Sequence, residues 1–244
     1  MKLENKSVVI FGGSSGIGLE TARMARSEGA DVTIISRNPD KLRSARAMGD
    51  DSFRILVGDV TSEGDIARAL DAVGDVDHLV YTAGDSVVQK NLDEASVADI
   101  QSYFDVRFIG AALVAKHIRG IIRRGGSMSF TSSTLPERPA AGYSIGAGVS
   151  GAVNGLIRSL ALELAPIRVN AVAPGVIRSP LWNRMPADAR ESYFSEFGRS
   201  LPVGRVGETS DVAEAFVYLM KASFTTGQIV TVDGGYSVSR QNRS

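Results

Sequence analysis

The stretch Val8-Val9-Ile10-Phe11-Gly12-Gly13-Ser14-Ser15-Gly16-Ile17-Gly18-Leu19-Glu20 constrains this chain more than any other. An apolar β-branched run enters a glycine-rich turn, and a segment of helical period leaves it. Glycines tolerate positive φ and let backbone approach a pyrophosphate closely. The N-terminus of the following helix offers free N–H groups and a favourable dipole. A lone glycine motif is weak, but this one sits between a strand and a helix at the head of an alternating chain, which is the context a dinucleotide site requires.

The alternation continues to the far end. Candidate strands are Ser7–Phe11, Asp31–Ser36, Phe53–Val57, His78–Tyr81, Ser127–Thr131, Arg168–Ala173 and Ile229–Val232. Between them run helical patterns at Ile17–Ser27, Pro39–Met48, Glu63–Val73, Ser96–Arg123, from about Tyr143–Gly146 to about Leu164, and Thr209–Met220. The first, second and fourth strands are nearly continuous apolar runs, as strands covered on both faces should be. The pattern predicts one doubly wound α/β Rossmann-type domain over residues 1–244, with a parallel sheet of about seven strands. Leu181–Val203 is the one long irregular stretch and carries Trp182, Tyr193, Phe194 and Phe197. It reads either as a surface helix pair or as a mobile lid over a ligand.

Composition enters by exclusion. Lys+Arg and Asp+Glu balance at 27 each, so no basic face for nucleic acid or acidic membrane is expected. There is no cysteine, which removes disulfides, thiolate nucleophiles and thiolate metal sites together. The two histidines are far apart and the acids unclustered, so no metal is expected. His78 reads as a strand-edge residue and His117 as exposed. Met1–Lys6 runs into an apolar stretch too short for a signal peptide, and no apolar run approaches the roughly 20 residues of a membrane span. The expectation is a soluble cytoplasmic protein.

Cofactor choice is made at the end of the second strand, where a carboxylate holds the ribose diol of NAD and a basic group neutralises the 2′-phosphate of NADP. The chain has Ser36-Arg37-Asn38 there and no acid, which predicts NADP(H).

The spacing Gly12-x-x-x-Gly16-x-Gly18 resembles the short-chain dehydrogenase/reductase family, with Phe11 where that family has threonine. The resemblance extends over essentially the whole chain. Asp59-Val60 matches its adenine-contacting pair, and Thr82-Ala83-Gly84 its Asn-Ala-Gly turn. Arg168-Val169-Asn170-Ala171-Val172-Ala173-Pro174-Gly175 matches its sixth strand and Pro-Gly turn, and Thr231-Val232-Asp233-Gly234-Gly235 its last strand. The resemblance places Ile177 against the nicotinamide amide and Ser179 at the pyrophosphate, and adds Ser14 and Ser15 to the cofactor contacts. It implies a homodimer or homotetramer built through the fourth and fifth helices and the C-terminal strand.

It also implies catalysis by a serine, a tyrosine with a lysine one helical turn on, and an asparagine on the fourth helix. Ser133 matches the serine. Alignment on Gly155–Ala161, and the usual spacing from Ser133, both put Gly146 at the tyrosine and Ser150 at the lysine; the asparagine position holds Arg107. No lysine lies between Lys116 and Lys221, so no register restores the pair. Three readings stay open. Tyr143 reaches the site from one turn upstream, with Ser133 and Arg107 in support. Or water supplies the proton. Or the chain is a catalytically silent NADP(H)-binding sensor or partner subunit. Tyr143 and Arg107 read equally well as ordinary packing residues. The expected substrate is a small or medium-sized, partly apolar carbonyl or alcohol.

Overall fold

The computed structural model describes residues 3–48, 53–84 and 89–239; Met1 and Lys2 of the N-terminal segment lie outside the described residues. Seven strands, β1 Ser7–Phe11, β2 Asp31–Ser36, β3 Arg54–Val57, β4 Val76–Tyr81, β5 Ile122–Thr131, β6 Arg168–Pro174 and β9 Ile229–Val232, form one parallel sheet ordered β3-β2-β1-β4-β5-β6-β9. The order reverses between β1 and β4, where a doubly wound sheet opens a crevice at the carboxyl ends of its strands. The glycine turn after β1 and the Thr82-Ala83-Gly84 turn after β4 are therefore neighbours, and Thr82 N donates to Phe11 O at 2.8 Å.

Period-two alternation feeds two cores. Val9 and Phe11 share a core with α3 Glu63–Asp71, α5 Gly110–Ile118 and α6 Ser144–Glu163, and α4 Val97–Phe104 lies against α6. Val8 and Ile10 face α1 Gly16–Ser27, α2 Pro39–Met48 and α8 Thr209–Lys221. Arg168 clamps the end of α8 by donating to Leu219 O, Met220 O and Ala222 O at 2.7–2.8 Å, satisfying carbonyls the helix leaves open. Two short strands, β7 Ile177–Arg178 and β8 Gly207–Glu208, pair in parallel below α7 Ala187–Ser200.

Several expectations are corrected. The helical pattern from Ser96 to Arg123 is not one helix. The chain runs through α4, a π turn at Asp105–Ile109 and α5, then stops at Ile118 so that β5 can begin at Ile122. Tyr81 Oη donates to Val106 O within this turn, where the backbone ladder runs from i to i+5 and the chain widens by one residue. His78 is not at an edge: β4 begins two residues earlier, and the imidazole is 6% exposed with Nδ1 2.9 Å from Ser127 Oγ. Burial pushes it down to about 4. His117 is half-buried with Nε2 2.9 Å from Glu63. Among the described residues one helix, the 20-residue α6, is long and apolar enough by length and composition to cross a membrane, with a mean hydropathy of 1.3 in an 18-residue window. Glycines and alanines hid that run from the sequence reading, and the helix packs Val153, Ile157 and Ala161 into the core.

Candidate functional site

The switch point holds a groove of about 380 Å³. Gly12, Ser14, Ser15, Gly16, Ile17 and Gly18 supply its floor, and Ser36 and Arg37 close one end. Asp59 and Val60 after β3 and Thr82, Ala83 and Gly84 after β4 form a wall, with Ser179 opposite. The backbone is built for close approach. Gly12 (φ +84°) and Gly16 (φ +55°) occupy the left-handed region, and a Cβ on Gly12 would lie 2.6 Å from Ala83 N. A Cβ on Gly18 would lie 2.4 Å from both Gly12 O and Thr82 Oγ1. Thr82 Oγ1 donates to Phe11 O at 3.0 Å, so this residue also pins the turn from behind. No acid stands in the first turn of α1, which leaves its positive end undiminished for an anion.

At the Arg37 end, Ser14 Oγ donates to Ser36 Oγ at 2.9 Å, and Asn38 Oδ1 accepts from Lys41 N at 2.9 Å as the chain enters α2. Asn38 and Lys41 line the groove beside Arg37. Sequence reading missed Lys41, although a second basic residue one helical turn after Arg37 was a usable signal. Arg184, also on the lining, lies in the irregular segment and carried no signal. Asp59 Oδ1 accepts from Thr61 N and Oγ1 at 2.9 and 2.8 Å, which fixes the turn after β3.

A second cavity of about 210 Å³ adjoins the groove. Pro174, Gly175 and Ile177 line it rather than the groove, together with Ser133, Tyr143, Gly146 and Ser150. Arg107 lines both; its guanidinium carbon is 3.1 Å from where a Cβ on Gly84 would be, and 5.1 Å from the centre of the Tyr103 ring. The π turn is what carries Arg107 to this junction. Ser133 Oγ is 2.7 Å from Ser150 Oγ and accepts from Leu135 N at 3.3 Å. A Cβ on Gly146 would meet Leu135 Cδ1 at 3.0 Å. Burial, then the neighbouring Tyr103 and Tyr236, raise the Tyr143 phenol above its ordinary value. The phenol is therefore protonated at neutral pH.

Leu181–Val203, which reads as a surface helix pair or as a lid, is entered through a 3₁₀ turn at Pro180–Trp182 and continues into α7. Leu181, Trp182, Tyr193 and Phe197 from this segment line the second cavity, while Phe194 is buried beneath. Tyr236 joins them from the turn after β9; the sequence offered only its place after Gly234-Gly235.

Residues 12–237 match the family described as Enoyl-(Acyl carrier protein) reductase. A short-chain dehydrogenase/reductase of an Acremonium species is 31% identical over 260 residues, covering 96% of each chain. Among solved structures, a small-chain dehydrogenase in complex with NADPH superposes with a TM-score of 0.85 at 31% identity, covering 97% of this chain and 100% of that one. The MalC Reductase/Diels-Alderase from Malbranchea aurantiaca superposes with a TM-score of 0.89 at 29% identity, covering 95% and 96%.

Proposed function

The chain belongs to the short-chain dehydrogenase/reductase family, and on that premise we propose that it is an NADP(H)-dependent oxidoreductase of the carbonyl reductase or alcohol dehydrogenase type with a non-standard site for proton delivery. One observation carries this reading. Ile17, Arg107, Thr131, Ser179 and Leu181 line the groove and the second cavity alike, so an extended ligand in the first can meet a small molecule in the second. The structural relative solved with NADPH supports the cofactor, and Arg37 with Lys41 supplies the two cations a 2′-phosphate calls for. The glycine turn fits a pyrophosphate, because a side chain at Gly12 or Gly18 would close the approach.

When bound, NADP(H) supplies the hydride donor or acceptor. The chain's own residues then have to hold the carbonyl and manage the proton. Ser133 is the hydroxyl that donates to the substrate oxygen. Arg107 places a permanent positive charge beside Gly84, where it stabilises developing negative charge; a guanidinium does not act as a base. Tyr143 contributes a protonated phenol. Positions 146 and 150, where the family's tyrosine and lysine would fall, hold glycine and serine, so the final proton comes from these hydroxyls or from water. Leu181–Val203 acts as the lid of a single NADP(H)-binding domain. The family's dimeric or tetrameric assembly is part of the proposal, supported by the open face of α6, where a Cβ on Gly148, Gly151 or Gly155 would meet nothing within 4 Å.

The glycine at 146 and serine at 150 also support a second reading, a silent NADP(H)-binding sensor or partner subunit. NADPH oxidation across a panel of ketones and aldehydes separates the two. The oxidoreductase reading expects turnover that falls strongly in Ser133→Ala and Tyr143→Phe. Tight NADPH binding with no turnover on any carbonyl would establish the second.

A further inference from the structure

The second cavity holds a chemistry that proton delivery leaves unused. Its outer wall is a run of aromatic rings: Trp182 lies 5.3 Å from Tyr193, Tyr193 5.6 Å from Phe197, and Phe197 5.3 Å from Tyr236. The two ends of the run are fixed. The Trp182 indole N–H donates to Ile177 O at 3.0 Å, and the Arg138 guanidinium sits 3.9 Å from the centre of the Tyr236 ring. Successive rings are tilted by 38°, 33° and 45°, so they form a curved apolar wall against which another ring gains beyond simple burial.

Three phenols face the same space. Tyr143, Tyr193 and Tyr236 are close enough for each to feel another's charge, and none of their hydroxyls bonds to another described residue. Burial, with Tyr143 and Tyr236 beside it, pushes the Tyr193 phenol up to about 12, so it remains a neutral donor and acceptor. Hydroxyls set in an apolar wall favour a ligand that returns their hydrogen bonds, because desolvating them otherwise costs free energy.

Resting on the reading that this cavity receives the substrate, we infer that the substrate is a flat, fused-ring aryl ketone, or its alcohol, carrying a second oxygen on the ring. The ring packs within the curve of Trp182, Tyr193 and Phe197, the reacting oxygen meets Ser133, and the second oxygen pairs with the Tyr193 and Tyr236 hydroxyls. Among the described residues Arg107 is the lining's only charged side chain and none is Asp, Glu, Asn, Gln or Lys, so its polar groups are chiefly hydroxyls set among rings and aliphatic carbon. At about 210 Å³ it falls below the roughly 300 Å³ at which drug-sized sites begin, which suits two fused rings better than a long acyl chain.

Trp182 is the chain's single tryptophan and reports occupancy directly. Full-length protein saturated with NADP+, which cannot reduce a ketone, is titrated with 5-hydroxy-1-tetralone, 1-tetralone and 1-decalone. Tryptophan quenching and calorimetry are read together. Affinity should fall about tenfold from the first ligand to the second with loss of a hydrogen bond, and several-fold again to the third with loss of stacking. The double variant Tyr193→Phe, Tyr236→Phe keeps the rings and should bring the first two ligands within about threefold of each other. Equal affinity for all three ligands, or tighter binding of glucose or acetoacetyl-coenzyme A, overturns the inference. NADPH-dependent reduction of cyclohexanone without this ligand order removes the inference and leaves the oxidoreductase reading standing. The ligand order without any carbonyl turnover removes the oxidoreductase reading and cuts the inference back to the class of ligand that the cavity binds.

Discussion

Replacing Ser150 with alanine should lower kcat about tenfold at nearly unchanged KM, provided Ser133 is the donor to the substrate oxygen. A serine hydroxyl has one proton and two lone pairs. Leu135 N–H engages one lone pair at 3.3 Å, and Ser150 Oγ stands at 2.7 Å from the same oxygen. When Ser150 donates, both lone pairs are occupied and the Ser133 proton is left to the cavity. Without Ser150 the hydroxyl samples about three staggered wells instead of one, a dilution of roughly 0.6 kcal/mol. It also loses a hydrogen bond worth about 1 kcal/mol. The sum, about 1.6 kcal/mol, is a little over a factor of ten in rate. Ser133→Ala removes the donor itself and should cost about 10²–10³ in kcat. In that background Ser150→Ala should cost nothing further, so the coupling equals the whole effect of the single change. Ser150→Thr keeps the hydroxyl and should recover most of the rate. The assay is steady-state NADPH oxidation with an aryl ketone, beside thermal melts of the wild type and all four variants. A tenfold loss that persists in the Ser133→Ala background would show that Ser150 only packs α6 against β5, and wild-type kcat in Ser133→Ala would remove both residues from the mechanism.

Three further outcomes are expected. Arg37→Ala should weaken NADPH binding about tenfold to a hundredfold and leave NADH binding unchanged, with a smaller loss in Lys41→Ala, measured by titration of both cofactors; an unchanged ratio would show that neither reads the 2′-phosphate. Gly18→Ala places a Cβ 2.4 Å from Gly12 O and Thr82 Oγ1, so the turn must shift and dinucleotide affinity should fall at least about tenfold while far-UV circular dichroism stays native. His78 is neutral in the folded chain, pushed down to about 4, whereas the unfolded chain takes up its proton near the ordinary value of 6.5. Stability is therefore full above that ordinary value and is lost as pH falls towards 4, amounting to about 2 kcal/mol between about pH 7 and pH 5 in urea unfolding. His78→Asn keeps a partner for Ser127 Oγ and should flatten that slope; the same slope in the variant would assign it to other groups.

What could be read in the sequence was local. Val8–Phe11 alternates between two cores because successive side chains of a strand point to opposite faces, and both faces are covered. The glycine turn is legible because positive φ and close approach are demands on single residues, met by Gly12 and Gly16 within a few positions. The seven-stranded parallel sheet followed from the alternation of such runs, and the comparisons bear out the fold and the family.

Tertiary structure decided what depends on distant partners. The π turn carries the Val106 carbonyl that accepts from Tyr81, 25 residues upstream, and it holds Arg107, which lines both cavities. His78 is buried because β5 extends past it to place Ser127 against the imidazole. Ser133 and Ser150 meet only when α6 packs onto the end of β5, and Tyr143, Tyr193 and Tyr236 share one space only when α7 and the turn after β9 close over it. The sequence by itself therefore determined a dinucleotide-binding sheet and where its glycine turn lies, since torsional freedom and burial are properties of neighbouring residues. Which hydroxyls and rings surround the second cavity was decided only by packing, because residues as far apart in the chain as Ile17 and Tyr236 meet there by the order of the strands and not by their spacing.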